Sequence, residues 1–275
     1  MKQRLTGIFL FSLIALAVLP ASSQQPSDWF TLSEVFNIET AHFTADQLGN
    51  IYYTTPLGLV KYYQANKTRK HYSNPQFGSI TQFDATDPFN ILVFHGGFRH
   101  IAWIDRNLAI KEGPAMPQSF INDFPALVCH SFLGGFWAYF THQNRLRRFN
   151  QNFQQQAESL PFSEILNGFN NPVFMAEANS RIYISDPQVG IAVFDAFGNF
   201  IFLIERKGID RFQVLGNLLI FFSDKELIVF DFLLQQENLF LLPINQIKSG
   251  MVIGRQIYLH TENEIRLYQT NLRLY

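Results

Sequence analysis

From residue 51 to residue 268 the chain carries short apolar runs in pairs, each pair split by a turn, and the pairs recur at a nearly fixed distance. The first runs begin at Ile51, Ile91, Phe136, Ile182, Ile220 and Ile257, at intervals of 40, 45, 46, 38 and 37 residues. Examples are Ile91-Leu92-Val93-Phe94 with Ile101-Ala102-Trp103-Ile104, and Ile182-Tyr183-Ile184 with Ile191-Ala192-Val193-Phe194. Runs of this length, rich in β-branched and aromatic residues and bounded by turn residues, predict strands rather than helices.

Two further positions keep the same period. Eight residues before the first run stand Phe43, Phe83, Val128, Phe174 and Phe212, with Ser249 departing in the sixth unit. After the second run stand Gln64, Asp105, Asn150, Asp195, Asp231 and Gln269, side chains able to satisfy the amides of a turn. A third apolar stretch, such as Phe200-Ile201-Phe202-Leu203-Ile204, completes each unit as an outer strand. The unit is a four-stranded antiparallel meander of about 41 residues, and six of them fill the chain from Asp28 onward. The fold predicted is all-β, a single six-bladed β-propeller over residues 24–275. Ring closure needs a strand from one terminus. Trp29-Phe30-Thr31-Leu32 and Leu272-Arg273-Leu274-Tyr275 both suit that place.

The first 23 residues stand apart from this pattern. Lys2 and Arg4 precede an apolar run from Leu5 to Leu19, and Ala21 and Ser23 supply small residues for cleavage before Gln24. This predicts a signal peptide over residues 1–23 and export to the periplasm, the cell envelope or the outside. The 15-residue run is shorter than the roughly 20 needed to span a bilayer, so no membrane span is expected after cleavage.

Composition then narrows the function. Charged residues are 16% of the chain, and without Lys2 and Arg4 there are 19 basic against 22 acidic, a net charge of −3. That balance implies no nucleic-acid partner. The 30 Phe residues find a use in the wedges between stacked blades. Cys129, the one cysteine, lies in an apolar run and is expected to be a packed thiol.

The runs Gly49-Asn50-Ile51-Tyr52-Tyr53 with Gly58-Leu59-Val60-Lys61-Tyr62, and Arg181-Ile182-Tyr183-Ile184-Ser185-Asp186 with Gly190-Ile191-Ala192-Val193-Phe194-Asp195, resemble six-bladed propellers of the NHL, TolB-like and gluconolactonase-like group. The resemblance implies the fold across the mature chain, most strongly in the first and fourth units. A gluconolactonase-like calcium site would also imply Glu, Asn and Asp where the innermost strands start. Here those lead-ins carry His42, Gln82, Leu127, Val173 and Arg211, and no acidic cluster.

In a propeller, the turns between second and third strands share one face with the lead-ins to the innermost strands, and ligand sites are commonly built there. The ligand-binding candidates on that face are His42, Gln82, His95, His142, Asp186, Arg211, Asp224 and His260. A metal-dependent hydrolase would need three or four of the His and Asp residues to converge. No nucleophile elbow, phosphate-binding glycine loop or helical two-histidine motif is present, so no catalytic residue, metal or cofactor is assigned. Phe98, Phe120, Phe124 and Phe140 lie in long connections or near loop tips, where they either form a partner-binding face or pack between blades. The expected function is a non-enzymatic scaffold for a protein partner, with a small molecule or carbohydrate as other ligands and the metal-dependent hydrolase as the alternative.

Overall fold

The computed structural model describes residues 29–111, 120, 123 and 125–272; the signal-peptide segment 1–23, Phe124 and residues 273–275 lie outside them. The described residues begin with β1 (Phe30–Phe36) after a turn residue and then build six antiparallel sheets around an axis. Blade one comprises β2 (Phe43–Ala45), β3 (Ile51–Thr55), β4 (Gly58–Tyr63) and β5 (Thr68–Tyr72). Blade two comprises β6 (Gln82–Asp84), β7 (Ile91–His95) and β8 (His100–Ile104). Blade three comprises β9 (Pro125–His130), β10 (Phe136–Phe140), β11 (Arg145–Phe149) and β12 (Gln155–Glu158). Blade four comprises β13 (Phe174–Ala178), β14 (Arg181–Asp186), β15 (Gly190–Asp195) and β16 (Phe200–Ile204). Blade five comprises β17 (Gln213–Leu215), β18 (Leu218–Phe222), β19 (Glu226–Asp231) and β20 (Gln236–Leu241). Blade six comprises β21 (Ser249–Ile253), β22 (Gln256–His260) and β23 (Ile265–Thr270). A helical turn, α1 (Phe162–Ile165), joins blades three and four.

The N-terminal strand closes the ring. β1 pairs antiparallel with β23, from Phe30 opposite Thr270 to Phe36 opposite Ile265, and becomes the outer strand of blade six. Blade two has three strands among the described residues, with one further bridge from Ile104 to Ile110.

The buried apolar residues form six clusters, each shared between two neighbouring blades. Between blades three and four, Trp137, Tyr139 and Cys129 meet Ile182, Ile184 and Phe194, with Phe162 of α1 stacked on Phe194 at 5.1 Å between ring centroids. Cys129 is fully covered, and burial raises its thiol pKa, so it is a packing residue rather than a nucleophile. Phe120 and Phe140 belong to the cluster between blades two and three, with ring centroids 5.7 Å apart. Neither is available to a partner, which corrects their candidacy. Strand parity explains Phe140: β10 runs one residue past the apolar run Phe136-Trp137-Ala138-Tyr139, and Phe140 falls on the same face as Phe136 and Ala138.

The recurrent polar residues after the third strands act as turn clamps. Asp105 Oδ1 accepts the amides of Asn107 and Ala109, Asn150 Oδ1 those of Asn152 and Gln154, and Asp195 Oδ1 those of Phe197 and Asn199. Gly58 and Gly190 open the third strands of blades one and four at φ of 138° and 145°, where a Cβ would stand 2.0 and 2.2 Å from the carbonyl oxygens of Tyr72 and Ile204. Only glycine fits so close to the neighbouring strand.

Candidate functional site

The six innermost strands leave a cavity of about 550 Å3 along the axis. Each of those strands has one edge unpaired by any other strand, and several of the exposed edge groups are satisfied by side chains from the preceding blade. Gln82 donates to the Ala126 carbonyl and accepts from the Val128 amide, at 3.1 and 2.8 Å, and Gln213 treats Val252 in the same way. Asp84 accepts the His130 amide, and the Met251 sulfur lies 3.3 Å from the Ala45 nitrogen. Gln82 lines the cavity, but its amide is engaged in holding blade three.

We call the upper face the one that carries the lead-ins to the innermost strands. Three of the eight candidates converge there. The Arg211 guanidinium, which leads into blade five, lies 5.3 Å from the centroid of Phe174 in blade four and places Nη2 2.7 Å from Nδ1 of His42 in blade one. Blades one and four stand opposite each other in the ring, so Arg211 crosses the mouth of the channel. Because guanidinium is always a donor, His42 Nδ1 is the acceptor and its proton sits on Nε2. Burial first, then the positive charge of Arg211, lowers the His42 pKa to about 4. His260 lies beside them, its ring 5.5 Å from that of Phe43 and its Nδ1 3.1 Å from the Ser249 hydroxyl. Burial also lowers the pKa of this imidazole and holds it neutral. Thr40 fixes the approach to His42 by donating its hydroxyl to the carbonyls of His42 and Thr54.

The other candidates lie further from the axis. His95 is buried between Tyr72, whose hydroxyl is 3.2 Å from Nε2, and the Gly78 carbonyl, 3.0 Å from Nδ1. Asp186 is buried with three amides on its carboxylate, those of Asn170, Asn171 and Gln188. Asp224 clamps the Gln246 amide, and His142 is exposed on the turn from β10 to β11. Among the described residues no group of three His, Cys, Asp or Glu is placed to hold a metal ion. His95 and Asp186, two of the groups a metal-dependent hydrolase would need, serve local backbone and side-chain partners.

The lower face carries a feature outside the sequence candidates. Leu48, Phe89, Phe132 and Leu133 are 80%, 62%, 80% and 56% exposed, and they occupy the turns between first and second strands of three successive blades. Carboxylates hold these tips: Asp46 Oδ1 accepts the Leu48 amide, Asp87 Oδ1 the Phe89 amide and Glu177 Oε2 the Phe132 amide. The corresponding turns of blades four to six read Asn179-Ser180, Gly216-Asn217 and Gly254-Arg255, so among the first-to-second-strand turns the apolar tips belong to blades one to three, while on the same face the third-to-fourth-strand turns of blades four and five expose Phe197, Leu233 and Leu234. For Leu48 and Phe89, a large apolar residue two positions after Asp in a turn was the available sequence signal; Phe132 and Leu133 carry none, since their clamp, Glu177, comes from the next blade. Phe98 is also exposed, at 61%, but on the upper face.

No protein-family model matches the chain, and no curated protein matches it. Solved structures do. A streptogramin B lyase structure is 16% identical with a TM-score of 0.58, over 91% of both chains. The Pan2 WD40 domain of Neurospora crassa is 11% identical with a TM-score of 0.57, over 85% of this chain and 76% of that one. A chain of the mitotic checkpoint complex is 9% identical with a TM-score of 0.61, over 98% and 99%. At these identities the likeness is one of architecture, and the architecture it shows is the β-propeller.

Proposed function

We propose that the mature chain is an exported β-propeller of the group its blade motifs resemble, acting as a binding scaffold for a protein partner in the cell envelope or outside the cell. One observation carries this reading: Leu48, Phe89, Phe132 and Leu133 form an apolar crown on the turns of blades one to three. Such side chains gain nothing from water, and they sit on clamped turns rather than on loops able to fold inward. Aromatic residues projecting from a rigid surface are frequent anchors of protein interfaces. The Arg106 guanidinium lies 6.0 Å from the Phe89 ring centroid and adds the other side chain enriched at such sites. The WD40 domain and checkpoint-complex likenesses are compatible with a protein partner.

The test is capture from envelope and culture-medium fractions with the tagged mature protein, run beside a Phe89→Ser, Phe132→Ser double variant. Both positions are surface turns, so the variant is expected to stay within about 1 kcal/mol of the parent in stability. A partner retained by the parent and reduced at least about tenfold with the variant is expected, since aromatic anchors carry roughly 2 kcal/mol or more. Equal retention by both proteins, or no reproducible partner, would count against the reading. Export is checked in the same fractions by the mass of the mature N-terminus at Gln24.

A further inference from the structure

Independently of the lower face, we propose that the upper mouth of the channel is a binding site for a carboxylate that carries an apolar body, with Arg211 anchoring the carboxylate and the channel wall receiving the rest. The argument starts from the distribution of charge in the cavity. Among its lining residues Arg211 is the one Lys or Arg, and it stands at the upper end. The acidic lining residues Asp46, Asp84 and Glu177 stand at or near the lower ends of their innermost strands, bonded to turn or backbone amides. An anion entering the channel is thus drawn to the upper mouth and repelled from the lower one.

Among the described residues no carboxylate forms an ion pair with Arg211; Asp210, its neighbour in sequence, contributes only through its field. The guanidinium has five N–H donors. The bond to His42 uses one, and the guanidinium carbon lies 5.3 Å from the Phe174 ring centroid, a contact that consumes no N–H donor. The free edge suits the two oxygens of a carboxylate, and no second Lys or Arg is present for a phosphate dianion. Beneath Arg211 the wall is Phe43, Phe83, Phe174, Phe212, Val214 and Met251, which favours an apolar body over a sugar. The volume lies in the range of pockets that hold small organic ligands.

Proton linkage follows from the same geometry. The groups facing His42 are Arg211 from the connection into blade five and His260 from β22, with Asp210 acting on Arg211, the Lys248–Glu262 ion pair behind His260, and Glu39 on the connection that carries His42 itself. A carboxylate on Arg211 cancels the charge that disfavours protonated His42. Binding therefore takes up protons and tightens as the pH falls below about 6.5 toward the His42 value of about 4.

The experiment is calorimetric titration of the mature protein with octanoate, acetate, octanol, inorganic phosphate, and a short peptide ending in Leu-Phe with a free or an amidated C-terminus. Octanoate or the free-acid peptide is expected to bind at least about tenfold tighter than acetate, octanol, phosphate and the amidated peptide. The first arm identifies a small carboxylic acid, and the second the C-terminus of a polypeptide. Arg211→Met is expected to weaken the productive ligand at least about tenfold, and Arg211→Lys to do so to a smaller extent, because the point charge survives without the fork. His42→Asn, which keeps an acceptor near the Nδ1 position, is expected to fold and to abolish the pH dependence. No binding of either carboxylate, or binding unchanged in Arg211→Met, overturns the proposal. Phosphate binding as tightly as octanoate also overturns it.

Discussion

A chain that starts at Ile38, and so lacks β1, is expected to melt at least about 12 °C below the intact mature protein. The reason is that β1 serves two interfaces at once. Phe30 at one end packs against Tyr268 in the layer between blades five and six, and Phe36 at the other packs against Tyr62 in the layer between blades six and one. Removing a buried Phe costs about 3–5 kcal/mol, so the two together cost roughly 6–10 kcal/mol. For a chain of this size each kcal/mol lowers the melting temperature by about 2–4 °C. The loss of the ladder with β23 adds to this, and β23 is left as an open edge that can recruit other chains. Scanning calorimetry of the two chains gives the comparison. The single variants Phe30→Ala and Phe36→Ala are expected to be additive, because the residues sit in different layers about 20 Å apart along the strand. A truncated chain melting within a few degrees of the parent would mean that another segment closes the ring.

That closure is a place where the sequence runs out. Trp29-Phe30-Thr31-Leu32 and Leu272-Arg273-Leu274-Tyr275 both have strand composition, and which of them pairs with β23 depends on the path of the chain around the ring. The blades themselves were legible because each repeats one packing problem: an apolar pair of strands at a fixed distance from a polar turn clamp. The upper site was legible in part. His42, Arg211 and His260 meet because lead-ins and second-strand ends share a face, but His95 and Asp186 share that face too and are occupied elsewhere. The distance of a side chain from the axis depends on tilt and loop length, which a one-dimensional pattern does not carry. Phe140 shows the same limit at finer scale, since one extra residue of strand moves it from a turn into the core. Leu48, Phe89, Phe132 and Leu133 escaped for the opposite reason: an apolar residue beside a turn looks like the end of a strand until the clamped backbone points it outward.

Acidification from about pH 7 to about pH 5 is expected to remove several kcal/mol of stability, before most carboxylates begin to titrate. His42, His95, His100 and His260 are all held neutral by burial, so each has a folded-state pKa below that of the free imidazole. Between the two values the unfolded chain binds more protons than the native one, and stability falls as the pH falls. For His42 this window runs from about 6.5 to about 4. At 1.36 kcal/mol per pKa unit, and allowing for solvent screening at the channel mouth, its share is roughly 2 kcal/mol. The other three imidazoles act in the same direction. Glu177 opposes them, because burial raises its pKa and its protonation favours the native state, whereas Glu158 and Asp195, whose pKa values are lowered, add losses only at lower pH. Urea midpoints measured on the mature protein at about pH 7, 6 and 5 should fall in step, and His42→Asn should flatten the slope by removing one titrating group. A midpoint that stays level across this range would show that the buried imidazoles accept protons without cost. In that case the neutral, acceptor state of His42 facing Arg211 would also be wrong.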